Sequence, residues 1–252
     1  MDFRVTRQLV IIGIPLLLLI GVGGYLYYKS IPEPTCFDRI FNQGEERIDC
    51  GGPCQPCALF DKKPVEVFWT KVFPVRVNTY DVGVSVKNPN VSLLLEALEY
   101  EIRVYDERNV IIARRTGRTF ILPGQTRYII ETNIESPKLI KRAVFQVLRD
   151  EWVFHQEQPP DIVAGERKYT IITEGGEPRS SVSATIFNRT TRDYSSVEVD
   201  VIISDEAKNA IAISKTVVGS LPAGAAESVT FFWPGVIAGR ADDIQVLPRV
   251  RP

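Results

Sequence analysis

The sequence is poor in the residues on which most enzyme active sites depend. It has one histidine, His155, and all four of its cysteines lie between positions 36 and 57. It contains no P-loop phosphate-binding motif, no G-x-G-x-x-G dinucleotide motif and no G-x-S-x-G nucleophile motif. A single histidine without a metal-ligand or nucleophile pattern beside it usually has a structural role. We therefore expect a protein that is not an enzyme, with neither catalytic nor cofactor-binding residues.

Net charge is almost absent as well. The sequence has 30 lysines and arginines against 31 aspartates and glutamates, which leaves a formal net charge of −1. A protein that binds nucleic acid normally carries a strongly basic face. We therefore expect no nucleic-acid partner.

One long apolar run, at 9–28, contains no charged residue. A helix of this length, at about 1.5 Å per residue, matches the roughly 30 Å hydrocarbon core of a bilayer. Tyr25, Tyr27 and Tyr28 lie at its end, where amphipathic rings favour the headgroup layer. The run predicts a transmembrane helix that anchors the chain in a cell membrane by a single pass.

The basic residues around this run predict its orientation. Arg4 and Arg7 precede it and Lys29 follows it, so the positive-inside rule places the tail at 1–8 in the cytoplasm. A cleaved signal peptide is the alternative, because the glycines at 21–24 would permit cleavage. In both cases the bulk of the chain is extracytoplasmic.

The remainder of the sequence has the patterns of β-strands. Apolar and polar residues alternate at 75–88, which is typical of a strand with one buried face. The segment 98–117 predicts two strands around a turn at Asp106–Asn109, and 126–134 and 142–150 predict two more.

The same pattern returns about 100 residues later in the chain. The matched positions are Asn88 with Asn188, 105–111 with 204–211, 122–125 with 221–224, and 145–148 with 244–247. Four matches in order at one offset indicate a tandem duplication. Each unit is expected to hold about seven strands of a β-sandwich, with the boundary near Pro159 and Pro160.

Three motifs of the first unit carry a resemblance to a known family. V-K-N-P-N, I-R-V-Y-D-E-R-N-V-I and I-L-P-G-Q-T resemble the FxLYD-type domain, which is similar to late-embryogenesis-abundant and immunoglobulin-like sandwiches. The second unit departs from the pattern, since Arg189 follows Asn188, Ser204 replaces the tyrosine, and Ala223 precedes Gly224. The resemblance implies an all-β fold of two tandem immunoglobulin-like β-sandwich domains and an extracytoplasmic accessory role, without implying any chemistry.

The cysteines follow the spacing C-x13-C-x3-C-x2-C, at Cys36, Cys50, Cys54 and Cys57. Outside the cytoplasm an even number of cysteines predicts disulfides, whose pairing the sequence leaves open among three arrangements. Two alternatives remain open. The four thiolates could close a tetrahedral zinc site, or Cys54 and Cys57 could form a thioredoxin-type redox pair.

Oxygen-bearing side chains are interleaved with these cysteines. Asp38, Asn42, Glu45 and Asp49 carry ligands of the kind that calcium binds, and they predict a calcium site. The alternative is that they form turns, with the glycines at 51–52 allowing a tight reversal of the chain.

The whole segment 36–57 resembles a short cysteine-rich element of exported bacterial proteins, C-x-D-G-x-x-N-x-x-E-x-x-x-D-C-G-G-x-C-x-x-C. The sequence departs from this pattern at Arg39, where the pattern has glycine. The resemblance implies a bacterial-type envelope protein and no established activity.

These observations predict the domains and function of the chain. The predicted parts are a tail at 1–8, a transmembrane helix at 9–28, a cysteine-rich segment at 29–60, and β-sandwiches at 61–158 and 159–252. We expect a membrane-anchored, non-enzymatic binding or envelope-assembly module with a protein partner in the envelope. The alternative is a thiol-redox or metal-binding envelope protein that uses zinc or calcium at 36–57.

Overall fold

The computed structural model describes residues 3–30, 33, 35–173 and 175–251. The chain divides into two compact units, Met1–Cys57 and Ala58–Pro252. The predicted tail, cysteine-rich segment and second sandwich each include some residues outside the described ranges. Among the described residues, the fold is mostly β, with one long helix at the N-terminus.

The helix α1 runs from Phe3 to Ser30 and contains the whole apolar run. Its stretch Ile11–Ser30 has a mean hydropathy of 1.9, and none of that stretch is buried. The large side chains along it are mostly exposed, as at Leu17 (70%) and Leu19 (70%). Length and composition suit either a membrane span or a signal sequence.

The second unit begins with a short 3-10 helix whose bounds, Cys57–Leu59, overlap the end of the first unit. Its described part then contains twelve strands. They are β1 Glu66–Arg76, β2 Thr79–Lys87, β3 Leu93–Asp106, β4 Ile111–Ile121, β5 Thr126–Glu135, β6 Ile140–Phe154, β7 Ile162–Ile172, β8 Arg179–Asn188, β9 Val197–Ser204, β10 Ala210–Val218, β11 Ala226–Trp233 and β12 Asp243–Arg249.

The first six strands and the last six have the same order in their sheets. The first half forms the antiparallel sheets β1-β2-β5 and β4-β3-β6, and the second half forms β7-β8-β11 and β10-β9-β12. Each half thus has six described strands instead of about seven. The expectation was too high because β3 and β6 run for 14 and 15 residues, longer than the spacing of turn signals implies.

Each half has its own hydrophobic core between its two sheets. In the first half, Val82 and Val84 of β2 pack with Leu98 and Ile102 of β3. In the second half, the equivalent core joins residues of β8 and β9, including Ile186 and Val201. These side chains are almost fully buried, and each contributes about 1.5–3 kcal/mol of hydrophobic stabilisation.

A third core joins the two halves to each other. Phe73 and Ile130 of the first half pack with Ile202, Ala210 and Ile213 of the second. The sheet β1-β2-β5 therefore faces the sheet β10-β9-β12, and the two halves form one compact unit.

This packing corrects the expectation that the strand within 75–88 has only one buried face. Every residue of β2 except Lys87 is buried, and so is every residue of β9 except Glu198. Asp81 and Ser85 occupy the polar positions of the alternation in β2. They are 7% and 2% exposed because the other half of the chain covers that face.

Gly83 lies at the centre of the covered face of β2. A Cβ atom at this position would lie 2.8 Å from Cδ1 of Ile213 and 3.1 Å from Cζ3 of Trp69. A glycine inside a strand often marks a close approach of another element, and here that element belongs to the other half.

Asn88 is fully buried and closes the loops of the first half with its side chain. Its Nδ2 donates to the carbonyl oxygens of Leu93, Ile121 and Leu122 at 2.7, 3.2 and 3.3 Å. Its Oδ1 accepts a hydrogen bond from the backbone N–H of Asn90 at 2.9 Å. One amide thus ties the end of β2 to the start of β3 and the end of β4.

Asn188 repeats this arrangement in the second half and is 2% exposed. Its Nδ2 donates to the carbonyl oxygens of Arg192, Leu221 and Pro222 at 2.8, 3.0 and 2.9 Å. Its Oδ1 accepts from the backbone N–H of Thr190 at 3.0 Å. The residue after it is arginine and not proline, so the proline is not required for this arrangement.

The predicted turn at Asp106–Asn109 is confirmed between β3 and β4. Asp106 Oδ1 accepts from the backbone N–H of Val110 and Arg108 at 2.9 and 3.0 Å. These bonds, led by that of Val110, hold the pKa of Asp106 below its usual range. Asp205 makes the equivalent bond to the N–H of Asn209 at 2.8 Å, which lowers the pKa of Asp205 in the same way.

We expect Asn88→Asp to lower the free energy of unfolding by about 3 kcal/mol, because a buried carboxylate would face three carbonyl oxygens and leave them without a donor. Asn188→Asp should have a similar effect. Urea denaturation of the full chain in detergent measures both. The control is Gln156→Glu, the same chemical change at an exposed site, with an effect within about 0.5 kcal/mol. Equal stability of Asn88→Asp and the control would show that the amide does not close the loops.

A double-mutant cycle between Gly83 and Ile213 tests the packing of the two halves. Gly83→Val should cost about 1–3 kcal/mol through overpacking, and Ile213→Ala should relieve part of it, giving a coupling energy of about 1 kcal/mol. The matched cycle pairs Gly83→Val with Ile186→Ala, which creates a cavity in the separate core of the second half. Additive costs in the Ile213 cycle would contradict the close approach.

Candidate functional site

The four cysteines form two disulfides, as predicted. Cys36 is bonded to Cys54 and Cys50 is bonded to Cys57, one of the three arrangements that the sequence leaves open. Cys54 and Cys57 therefore belong to different disulfides and do not form a bond with each other. In the described chain, no group of three or more histidine, cysteine, aspartate or glutamate side chains is placed to hold a metal ion.

Asp38, the first of the predicted calcium ligands, has both oxygens engaged in a turn. Its Oδ2 accepts from Asn42 Nδ2 at 2.9 Å and from the backbone N–H of Thr35 at 3.1 Å. Its Oδ1 accepts from the N–H of Ile40 at 2.8 Å. The hydrogen bond from Asn42 is the main reason why the pKa of Asp38 lies below its usual range.

Glu45 and Asp49, two more of the predicted ligands, are linked to each other inside the same segment. Glu45 is 4% exposed, and its Oε2 accepts from the backbone N–H of Asp49 at 3.1 Å. Glu45 Oε1 lies 3.4 Å from Cys54 Sγ, and Asp49 Oδ1 accepts from the N–H of Arg39 at 3.0 Å. These contacts match the turn-forming alternative, and the calcium site stays a prediction.

Arg39 adopts the backbone conformation that a glycine would favour. Its φ is +61°, in the left-handed region, which costs a non-glycine residue roughly 1–2 kcal/mol. Gly51 and Gly52 also have positive φ, and a Cβ atom on Gly52 would lie 2.3 Å from the carbonyl oxygen of Gly44. The tight reversal predicted at 51–52 is confirmed.

The disulfide-linked segment keeps its large apolar side chains outside. Phe37 is 82% exposed, and Ile40, Phe41 and Ile48 are 60%, 63% and 56% exposed. Its buried residues are Glu45, Cys50, Gly51, Cys54 and Cys57. Disulfides and hydrogen bonds, and not a hydrophobic core, therefore hold the segment together.

A second site lies within the second unit, where the two halves meet. It is a pocket of about 370 Å³ whose polar lining includes Tyr100, Thr119, Arg127, Glu198, Asp200 and Lys215. The first three belong to the first half and the last three to the second. The volume is within the range of small-molecule sites, which is about 300–1,000 Å³.

Arg127 and Asp200 of this pocket are deeply buried, whereas the side chain of Glu198 is 47% exposed and Lys215 is exposed. Arg127 is 7% exposed, and its Nη2 pairs with Glu198 Oε2. Its Nε and Nη1 make no hydrogen bond to any described residue, and neither does Thr119 Oγ1. Asp200 is 3% exposed and lies 3.5 Å from Arg249 Nε, but its Oδ2 also lacks a hydrogen bond.

Burial shifts the titration of these groups. It raises the pKa of Asp200, against the attraction of Arg127 and Arg249. It lowers the pKa of Arg249 to about 10. Burial and a 2.7 Å hydrogen bond to Glu131 Oε1 together raise the pKa of Tyr100 far above its usual range. The pocket therefore disfavours charge on both members of the Asp200–Arg249 pair.

The sequence contains no signal for this pocket. Arg127 and Asp200 occupy polar positions of alternating strands, which suggests contact with solvent. They meet only because the two halves pack face to face. A strand pattern carries no information about that packing.

Comparison with known proteins identifies no family for this chain. No protein-family model and no curated protein matches it. One solved structure, the N-terminal tandem CBM22 domain pair of a Paenibacillus barcinonensis protein, is 7% identical, covers 74% of this chain and 83% of its own, and has a TM-score of 0.14. That likeness is too low to carry any argument, and the resemblance to FxLYD-type domains stays a prediction.

Mass spectrometry of the full chain, purified without reductant and blocked with an alkylating agent, should show no alkylated cysteine. After proteolysis, the linked peptides should contain Cys36 with Cys54 and Cys50 with Cys57. As a control, Cys36→Ser should leave only Cys54 open to alkylation. A peptide linking Cys54 to Cys57 would contradict the pairing and favour the redox alternative.

Proposed function

We propose that this protein is a membrane-anchored, extracytoplasmic and non-enzymatic binding or assembly module built from two tandem immunoglobulin-like β-sandwiches. One observation carries the proposal. A segment cross-linked by two disulfides follows directly after an exposed apolar helix of membrane-spanning length. Disulfides form and persist outside the cytoplasm, which is where the positive-inside rule places this segment.

The tandem organisation has support from both sequence and topology. The two halves share one strand order, and Asn88 and Asn188 close equivalent loops at an offset of 100 residues. Gly124 and Gly224 both have positive φ, at +68° and +70°, in equivalent turns. These shared details favour duplication of one sandwich unit over two unrelated sets of strands.

A binding role is consistent with the way the halves are joined. The third core makes the halves one compact unit, so loops and pockets keep their relative positions. The sequence lacks the common catalytic motifs, and the partner that we propose is a protein of the envelope.

The alternative functions have less support. A redox role needs Cys54 and Cys57 to exchange with each other, whereas they belong to separate disulfides. Calcium binding has one favourable observation, since Asn42 Oδ1 is buried and makes no hydrogen bond to any described residue.

Expression of the full chain with a C-terminal tag in a bacterial host tests the anchor. The chain should stay in the membrane pellet after alkaline carbonate extraction, keep residue 1 by intact mass, and be digested by protease added to spheroplasts. Leu17→Arg with Leu18→Arg should abolish membrane retention, because each arginine at the centre of a span costs about 2.5–3.5 kcal/mol.

Leu17→Ile with Leu18→Ile is the matched control and should remain in the pellet. A mass that lacks the first 20 or so residues would mean a signal peptide of ordinary length and a released protein. Protection of the tag in spheroplasts would contradict the extracytoplasmic location.

A further inference from the structure

We infer that the pocket between the two halves binds a small organic molecule through a carboxylate group. The inference rests on the proposed binding role and gives it a ligand class. Its starting point is Arg127, which is 7% exposed while its Nε and Nη1 have no hydrogen-bond partner among the described residues. Leaving buried donors unsatisfied costs about 1–3 kcal/mol each, and more for charged groups, so such donors normally face a partner.

The other unpaired groups around Arg127 are mostly donors as well. Thr119 Oγ1 is buried and makes no hydrogen bond within the described chain. Lys215 lines the same pocket, and its charge attracts Asp81 and Asp200 without a hydrogen bond or ion pair among the described residues. Lys215 is an exposed residue. The unused hydrogen-bonding capacity of the pocket therefore suits an acceptor group with several lone pairs.

The acidic residues of the pocket already face cations. Glu198 pairs with Arg127 Nη2, and Asp200 lies beside Arg249. The cations that line the pocket are Arg118, Arg127 and Lys215, and Arg118 pairs with Glu151 at 3.4 Å. Lys215 is therefore the lining cation without an ion pair among the described residues, and a single carboxylate would balance it.

Asp200 does not oppose this ligand. Its Oδ2 lies 3.5 Å from Arg249 Nε, and this cation offsets the negative charge that would otherwise repel an anion. Burial raises the pKa of Asp200, so the neutral form is favoured more than at the surface.

The size and the apolar part of the lining favour an organic acid over a bare inorganic ion. The pocket has about 370 Å³, whereas one water takes about 30 Å³ of liquid volume. Tyr128, Ile129 and Val217 also line it and offer apolar contact to the body of a ligand. A carboxylate has two oxygens and about four lone-pair sites, enough to accept from one unpaired N–H of Arg127 and from the Lys215 ammonium.

The test follows the Nε–H resonance of Arg127 by NMR in the full chain, held in detergent micelles and labelled with ¹⁵N. The probes are acetate, succinate and benzoate, each compared with its neutral amide, and inorganic phosphate, at up to ~20 mM, the range of weak binding. At least one carboxylate should shift the resonance in a saturable way, and its amide should not.

Two lysine variants show whether the pocket is the site. Lys215→Ala should weaken binding of the active carboxylate by about 3–10-fold, the effect of losing roughly 1 kcal/mol from one charged contact. Lys168→Ala removes the same charge from an exposed position of β7 and should leave binding unchanged. Both lysines are exposed, so both variants are expected to fold. Thr119→Val is a second variant inside the pocket, and it should also weaken binding of the active carboxylate.

Three outcomes would overturn the inference. The first is no saturable shift with any of the carboxylates. The second is equal binding of acid and amide, or no effect of Lys215→Ala. The third is binding of phosphate without binding of a carboxylate. Membrane retention is measured in a separate experiment. A negative NMR result would therefore not contradict the membrane anchor, and loss of membrane retention would not change the interpretation of the NMR result.

Discussion

The buried amides of Asn88 and Asn188 are the interaction on which each half of the β structure depends. The Asn88 amide follows the end of β2 and donates to the carbonyl oxygen of Leu93 at the start of β3. It also donates to the carbonyl oxygens of Ile121 and Leu122, where the chain leaves β4. The two sheets of a half are therefore joined at this point by polar contacts as well as by the core. The arrangement recurs at Asn188 although the sequence around it has changed.

The second constraint is the burial of β2 and β9 on both faces. Their inner faces form the cores of the separate halves, and their outer faces meet in the core that contains Phe73 and Ile213. Gly83 permits the close approach, and the charged groups around Arg127 lie beside it. The pocket is thus a consequence of joining two halves, because neither half contains all of its lining.

Much of this could be predicted from single residues, and the rest could not. The turn at Asp106, the glycine turn at Gly124 and the disulfides follow from local chemistry that needs no partner. The disulfide pairing does not follow, since three arrangements satisfy the same spacing. The second buried face of β2 was missed because alternation shows which residues share a face but not what covers it. The pocket was missed for the same reason, since Arg127 and Asp200 have the pattern of surface residues in their own strands.

The joined outer faces also affect how the chain folds as it is made. About 60 residues separate the end of β6 from Ile213, which takes roughly 3–12 s at ordinary rates of synthesis. During that time the first half can close its own core while Phe73 and Ile130 have no cover. Contacts this distant in sequence form slowly, and an uncovered apolar sheet face favours aggregation. The packing that unites the finished protein therefore makes its first half an aggregation-prone intermediate, so successful folding depends on how promptly the second half follows.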